Sequence, residues 1–82
     1  MPVELDPTSE ELLRAFVAKA AALNRAGVNG RAVASEIGLD YEDYIPAVER
    51  LIATGCVTSK TGMLTNVVIT PVGFAVVKRM TP

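Results

Sequence analysis

Two strand-like runs rich in β-branched residues lie close together in the second half of the chain, and together they predict a β-hairpin. The first run covers residues 56–60 and the second covers residues 64–70. Both have the composition of strands, and the connection between them, residues 61–63, is short enough to join antiparallel neighbours. The residues before this hairpin show helical spacing instead, so the sequence predicts an α+β fold.

The first helical pattern starts near residue 8. Residues 1–7 form a leader that Pro7 closes, and Thr8 with Glu11 has the spacing of a capping box. Residues 24–27 should stop this helix, and Gly27 is suited to the left-handed conformation that ends a helix. Between these points the apolar residues recur at helical spacing; they are Leu12, Leu13, Phe16, Val17, Ala20 and Leu23.

A short second helix is predicted after Val28, an isolated apolar residue that has the character of a strand stub. Asn29 is a suitable cap for this helix. Val33 and Ile37 would face inward, and Gly38 would end it.

The start of the third helix depends on Pro46. If Asp40 caps the helix, Pro46 occupies its sixth position, where the missing N–H and the ring clash cost roughly 3 kcal/mol. If Asp43 caps it, Pro46 falls in the first turn, where no N–H partner is needed. We therefore expect the helix to begin at Asp43 and residues 40–42 to form a turn. The helix should bury Tyr44, Val48, Leu51 and Ile52.

The end of the chain predicts one more helix. Pro71 interrupts the second strand, and residues 72–80 have apolar side chains at helical spacing. A chain of 82 residues leaves no room for a second domain. We therefore expect residues 8–80 to form a single domain.

The charge and composition exclude several kinds of site. The chain has eight basic residues, nine acidic residues and no histidine, and its net charge is −1. No nucleophile–base pair and no glycine-rich phosphate loop can be identified, so we expect no catalytic activity. Cys56 is the single cysteine, and we expect it to be buried, with neither a metal nor a cofactor bound. A single cysteine cannot form an intrachain disulfide, so we expect a cytoplasmic protein. Because the chain lacks 18 consecutive apolar residues, we expect no membrane span.

Several short segments carry a resemblance to a known family: Ala34-x-x-Ile37-Gly38-Leu39, Leu51 at twelve residues after Leu39, Leu51-x-x-x-Gly55-Cys56-Val57, and Ile69-Thr70-Pro71-x-Gly73. In this order the chain resembles the winged helix-turn-helix superfamily, specifically small bacterial and archaeal regulators of the multiple-antibiotic-resistance or related types. The resemblance implies a three-helix core, a C-terminal β-hairpin wing and a short last helix. It also implies DNA binding in transcription regulation.

The expected DNA-reading helix has an unfavourable charge. In DNA-reading members the third helix enters the major groove, but here the exposed residues of this helix and of the turn before it include Glu42 and Glu49, which repel phosphate. We therefore expect a DNA-associated regulator that binds mainly the backbone of double-stranded DNA, with weak or no base readout. The candidate nucleic-acid contacts are Asn29, Arg31, Arg50, Lys60, Thr61 and Asn66.

The same surface supports an alternative function. Tyr41, Ile45 and Pro46 would form an exposed apolar edge surrounded by acidic residues. The alternative is a non-catalytic protein–protein interaction module, because the winged-helix fold serves both purposes.

A second copy of the chain is a further expected partner. Half of the residues are hydrophobic, and this excess favours a self-association surface. Members of the resembled family often form dimers through their first and last helices. The candidate dimer contacts are Leu13, Val17, Phe74 and Val77.

Overall fold

The structure is a computed structural model that describes residues 5–59 and 66–80. Within these ranges the chain forms four helices and a three-stranded antiparallel sheet, so the predicted α+β class is confirmed. In chain order the elements are α1 (Pro7–Leu23), β1 (Gly27–Asn29), α2 (Gly30–Glu36), α3 (Tyr41–Ala53), β2 (Val57–Ser59), β3 (Asn66–Ile69) and α4 (Pro71–Met80).

The sheet has the strand order β1-β3-β2, with β3 at its centre. Val28 pairs with Val67 in β1–β3, and Val57 pairs with Ile69 in β2–β3. All four side chains are buried, and they form the sheet's contribution to the core. The isolated Val28 is therefore the middle residue of a short strand. The predicted connection, residues 61–63, lies outside the described residues.

Helix α1 begins slightly earlier than the sequence predicts and ends where the predicted stop begins. Its N-cap is Asp6 and its first residue is Pro7, a position where the missing N–H of proline costs nothing. The Ser9 hydroxyl donates a hydrogen bond of 2.6 Å to the Asp6 carboxylate, which replaces the expected capping box. Asn24 ends the helix at φ 54°, in the left-handed conformation expected of Gly27.

Helix α2 follows β1 directly and has the predicted boundaries. The Asn29 side chain accepts a hydrogen bond of 3.1 Å from the backbone N–H of Ala32, so Asn29 is the N-cap. Gly38 adopts φ 76° just after the helix. The backbone N–H of Leu39 then donates to the carbonyl of Ala34 at 2.8 Å, which closes the turn toward α3.

The predicted start of the third helix is wrong, because α3 is capped by Asp40 and contains Pro46 as its sixth residue. The backbone N–H groups of Asp43 and Tyr44 donate to the Asp40 carbonyl at 3.0 and 2.8 Å. This first turn directs Tyr44 into the core, where it is 1% exposed. Burying a large side chain contributes about 2–3 kcal/mol. Together with the two hydrogen bonds, this gain is comparable to the roughly 3 kcal/mol that an interior proline costs.

Thr70 joins the start of α4 to the segment between α3 and β2. The Thr70 hydroxyl lies 3.0 Å from the carbonyl oxygen of Cys56 and accepts a hydrogen bond of 3.2 Å from the backbone N–H of Gly73. A Cβ atom at Gly73 would lie only 2.2 Å from that same Cys56 oxygen. The segment Thr70-Pro71-x-Gly73 therefore caps α4 and allows its close approach to the chain at Cys56.

The core lies between the helices and one face of the sheet. Its buried apolar residues are Leu12, Leu13, Phe16, Ala20, Val28, Val33, Ala34, Tyr44, Ala47, Val48, Leu51, Cys56, Val57, Val67, Ile69 and Val76. Cys56 is buried as predicted, whereas Ile52 is only half-buried and Ala47 takes its place on the inner face of α3. No helix in the described part of the chain is both long and apolar enough to cross a membrane.

Candidate interaction surface

The outward face of α3 is acidic. Helical periodicity places Glu42, Pro46 and Glu49 opposite the buried side of the helix, and all three are exposed. Asp40 and Asp43 are exposed as well. Within residues 5–59 and 66–80, none of these four carboxylates forms an ion pair. Because α3 begins at Asp40, Glu42 belongs to the helix face and not to a preceding turn.

Arg31 and Tyr41 form a stacked pair between α2 and α3. The Arg31 guanidinium lies 4.6 Å from the centroid of the Tyr41 ring, which is a cation–π distance. Tyr41 in turn stacks on Tyr44, with the ring centroids 6.2 Å apart and the planes inclined by 28°. Tyr41 remains 54% exposed. Arg31, predicted as a phosphate ligand, is thus held on an aromatic ring of the alternative protein-binding surface.

A groove of about 250 Å³ runs along this stacked pair. Its lining is mixed: two aliphatic side chains and two tyrosine rings lie beside one cation, one carboxylate and one serine hydroxyl. The lining residues are Arg31, Ala34, Ser35, Leu39, Asp40, Tyr41 and Tyr44. We call it the α2–α3 groove.

Tyr44 forms part of the floor of this groove and depends on Gly30. A Cβ atom at Gly30 would lie 2.1 Å from the Tyr44 hydroxyl oxygen and 3.3 Å from the Phe16 ring, so only glycine fits beside the phenol. Burial raises the pKa of Tyr44 to about 12, with a further contribution from the neighbouring Tyr41 and an opposing one from Arg31. In the sequence, Asn-Gly is only a turn or cap signal, so this role of Gly30 could not be predicted.

Arg50 lies on a different side of α3. It follows Tyr41 by nine residues, which is about two and a half helical turns, so the two side chains point in opposite directions. Its Nε atom lies 3.5 Å from the Asp6 carboxylate. The pKa of Asp6 is lowered mainly by the hydrogen bond from Ser9, and Arg50 adds a smaller contribution.

A second groove of about 390 Å³ follows this side of α3, lined by Asp6, Thr8, Asp43, Pro46, Ala47 and Arg50. It shares no lining residue with the α2–α3 groove. The structure therefore places Arg31 and Arg50 in separate grooves. Lys60 and Thr61, the predicted contacts in the wing, lie outside the described residues.

The remaining predicted nucleic-acid contacts lie together at one end of the sheet. Asn29 and Asn66 are register partners in the β1–β3 ladder, and both are exposed. Arg31 follows two residues after Asn29. The amide oxygen of Asn29 already caps α2, so its remaining hydrogen-bonding capacity is the amide NH₂ group.

The residues of the alternative surface divide between the two sides of α3. Tyr41 and Ile45 are one helical turn apart and lie on the side of the α2–α3 groove. Ile45 is half-buried and packs against the core. Pro46 is exposed and lines the second groove. Tyr41 is thus the large exposed apolar side chain of this surface.

The predicted dimer contacts also differ in accessibility. Leu13 is completely buried inside its own chain, so it cannot contact a second copy of this fold. This correction follows from the start of α1, whose inner face carries Leu12, Leu13 and Phe16 together. Val17 and Val77 are half-buried. Phe74 is 39% exposed and borders a groove of about 290 Å³ with Ala20, Ala21, Asn24 and Arg25.

Comparisons with known proteins give no relative from which a function could be transferred. No protein-family model, no curated protein and no solved structure matches the chain. Within the described residues, no group of three or more cysteine or carboxylate side chains is arranged to hold a metal ion. The function must therefore be inferred from the surface itself.

Proposed function

We propose that the chain is a winged-helix domain that works as a non-catalytic protein-interaction module. The element order α1-β1-α2-α3-β2-β3-α4 and the strand order β1-β3-β2 support the winged-helix assignment. The observation that carries the function is the outward surface of α3, where the exposed Tyr41 ring lies among carboxylates without ion-pair partners in the described residues. Tyrosine and arginine are frequent at the energetic centre of protein interfaces.

The charge of α3 argues against base reading by this helix. Side chains that read base edges are mainly Arg, Lys, Asn, Gln, Ser and Thr, whereas the outward face of α3 presents Glu42 and Glu49. Phosphates border the major groove on both sides, so these carboxylates would approach a polyanion. Arg50, the one cation on the helix, is already beside Asp6.

The test is site-specific photo-crosslinking in cells that produce the chain. A benzophenone amino acid replaces Tyr41 in one variant and the exposed Ala75 of α4 in a control variant. We expect a discrete protein adduct from position 41 and none from position 75. Combining the probe with Glu42→Lys and Glu49→Lys should reduce the adduct. No adduct at position 41, or equal labelling from both positions, would contradict the proposed module.

Binding to the DNA backbone is the second candidate, supported by the proximity of Asn29, Asn66 and Arg31. Its test is the fluorescence anisotropy of a labelled duplex titrated with the chain at low salt. Binding should be weak, salt-dependent and insensitive to base sequence. Arg31→Ala should weaken it further, whereas Arg79→Ala on α4, with the same loss of charge, should have less effect. If the anisotropy does not change even at low salt, this candidate is excluded.

A further inference from the structure

We propose that the α2–α3 groove receives a partner-protein segment in which an aliphatic side chain is adjacent to lysine or arginine. This inference rests on the proposed interaction module and specifies the chemistry of its partner. Two observations lead to it: aliphatic and aromatic side chains form part of the groove's lining, and the exposed residues of α3 next to the groove are acidic.

The floor of the groove fits an aliphatic side chain. Ala34 and Tyr44 are almost fully buried, and the half-buried Leu39 closes one side. Tyr41 forms the wall, and its ring is held between Arg31 and Tyr44. A side chain that enters here loses contact with water without requiring the protein to rearrange, which reduces the cost of association.

The exposed surface continues from the groove along α3. Ile45 lies one turn beyond Tyr41 on the same side of the helix and is partly accessible. Glu42 and Glu49 flank this path on the outward face. A short segment could therefore place one apolar residue in the groove and its neighbours along α3.

The charges decide which segment fits. Asp40 lines the groove and Glu42 follows Tyr41 directly, while the single cation of the rim, Arg31, is engaged with the Tyr41 ring. Asp43 and Glu49 add to the negative potential of the helix. An acidic segment would be repelled, whereas a lysine or arginine next to the apolar anchor would find carboxylates that have no ion pair in the described residues.

The test uses defined peptides and the full chain labelled with ¹⁵N. The probe is the peptide (Leu-Lys-Ser)₃, and the two comparison peptides are (Ser-Lys-Ser)₃ and (Leu-Glu-Ser)₃. We expect (Leu-Lys-Ser)₃ to shift the amide resonances of Arg31, Leu39 and Tyr41. Removing either the leucines or the positive charges should weaken binding by about tenfold or more.

Matched variants separate this site from general charge attraction. Tyr41→Ala, and the pair Asp40→Asn with Glu42→Gln, should each reduce affinity for the probe by about tenfold. The pair Glu10→Gln with Glu11→Gln removes the same charge from α1 and should change affinity less than about twofold. The amide spectrum of each variant verifies its fold, and asparagine preserves the cap position of α3.

The outcomes distinguish the two proposals. Equal binding of (Leu-Glu-Ser)₃, equal loss from the α1 variant, or shifts located on α4 would each overturn the basic–aliphatic assignment. If photo-crosslinking at position 41 succeeds while the probe fails to bind, the interaction module stands and this partner chemistry is wrong. If both fail, the interaction module itself is wrong.

Discussion

The contact between Gly30 and Tyr44 gives the sharpest test of the structure. Replacing Gly30 with alanine would place a Cβ atom 2.1 Å from the Tyr44 hydroxyl oxygen. Ordinary contacts of carbon lie near 3.5 Å, so α2 or the tyrosine ring would have to move by roughly 1 Å. Such overpacking costs about 1–3 kcal/mol. Alanine recovers up to about 1 kcal/mol through its higher helix propensity, which leaves a net destabilisation of about 1–2 kcal/mol.

Removing the Tyr44 hydroxyl, which is the clashing group, should recover most of the stability that Gly30→Ala loses. Tyr44→Phe alone removes the hydroxyl and should cost about 1 kcal/mol. In the double variant the closest remaining atoms, the Tyr44 Cζ position and the Phe16 Cζ atom, lie 3.1 and 3.3 Å from the new Cβ. These contacts require shifts of only a few tenths of an ångström. The double variant should therefore be about as stable as Tyr44→Phe, with a coupling free energy of about 1–2 kcal/mol.

The assay is urea-induced unfolding of the four proteins, followed by circular dichroism, with the free energies of unfolding compared in a double-mutant cycle. Gly27→Ala provides a matched control cycle with Tyr44→Phe, because a Cβ at Gly27 meets its nearest atoms at 4.0 Å. That control should be additive within about 0.5 kcal/mol. If the free-energy changes of Gly30→Ala and Tyr44→Phe also add within about 0.5 kcal/mol, the Tyr44 phenol does not lie against α2.

Four other predictions test separate parts of the structure. Gly73→Ala should lower the free energy of unfolding, measured in urea, by about 1–3 kcal/mol, because its Cβ would collide with the Cys56 carbonyl. A loss no larger than that of Gly27→Ala would contradict this contact. The free energy of unfolding should fall as the pH rises from about 10 to about 12, because Tyr44 releases its proton at lower pH in the unfolded chain than in the folded one. If the Tyr44→Phe variant loses as much stability over this pH range, Tyr44 is not the cause. Pro46→Ala should raise the free energy of unfolding by about 1–2 kcal/mol, because it restores an N–H inside α3, and no gain would contradict the helical start at Asp40. If a second copy covers the groove beside Phe74, sedimentation should show a species of twice 8.7 kDa that Phe74→Glu converts to monomer. A monomeric parent chain would exclude the dimer.

The sequence predicts those elements whose signals are local. Three such signals are the helix cap at Asn29, the turn at Gly38 and the end of a strand before Pro71. In each case the local backbone conformation favours the residue type found there. The β-branched composition of residues 64–70 likewise predicts β3. In all these cases the neighbouring residues are sufficient to decide the conformation.

The features that the sequence does not predict depend on contacts between distant residues. The Asp6 carboxylate lies beside Arg50 because the start of α1 packs near α3. Arg31 stacks on Tyr41 because the turn after α2 brings α3 beside it. Neither arrangement has a signal in residue spacing, since each pair joins separate elements. The separation of Arg31 and Arg50 into two grooves likewise depends on how the helices pack.

The start of α3 shows how one local choice changes the chemistry of the whole surface. If the helix began at Asp43, Glu42 would belong to a turn and Glu49 would be the isolated acid on the outward face. Because it begins at Asp40, Glu42 and Glu49 are seven residues apart on one helix face, and Tyr41 is fixed beside Arg31. The outward face of α3 therefore presents aligned carboxylates. The cap at Asp40 therefore aligns the carboxylates on which the proposed basic partner depends.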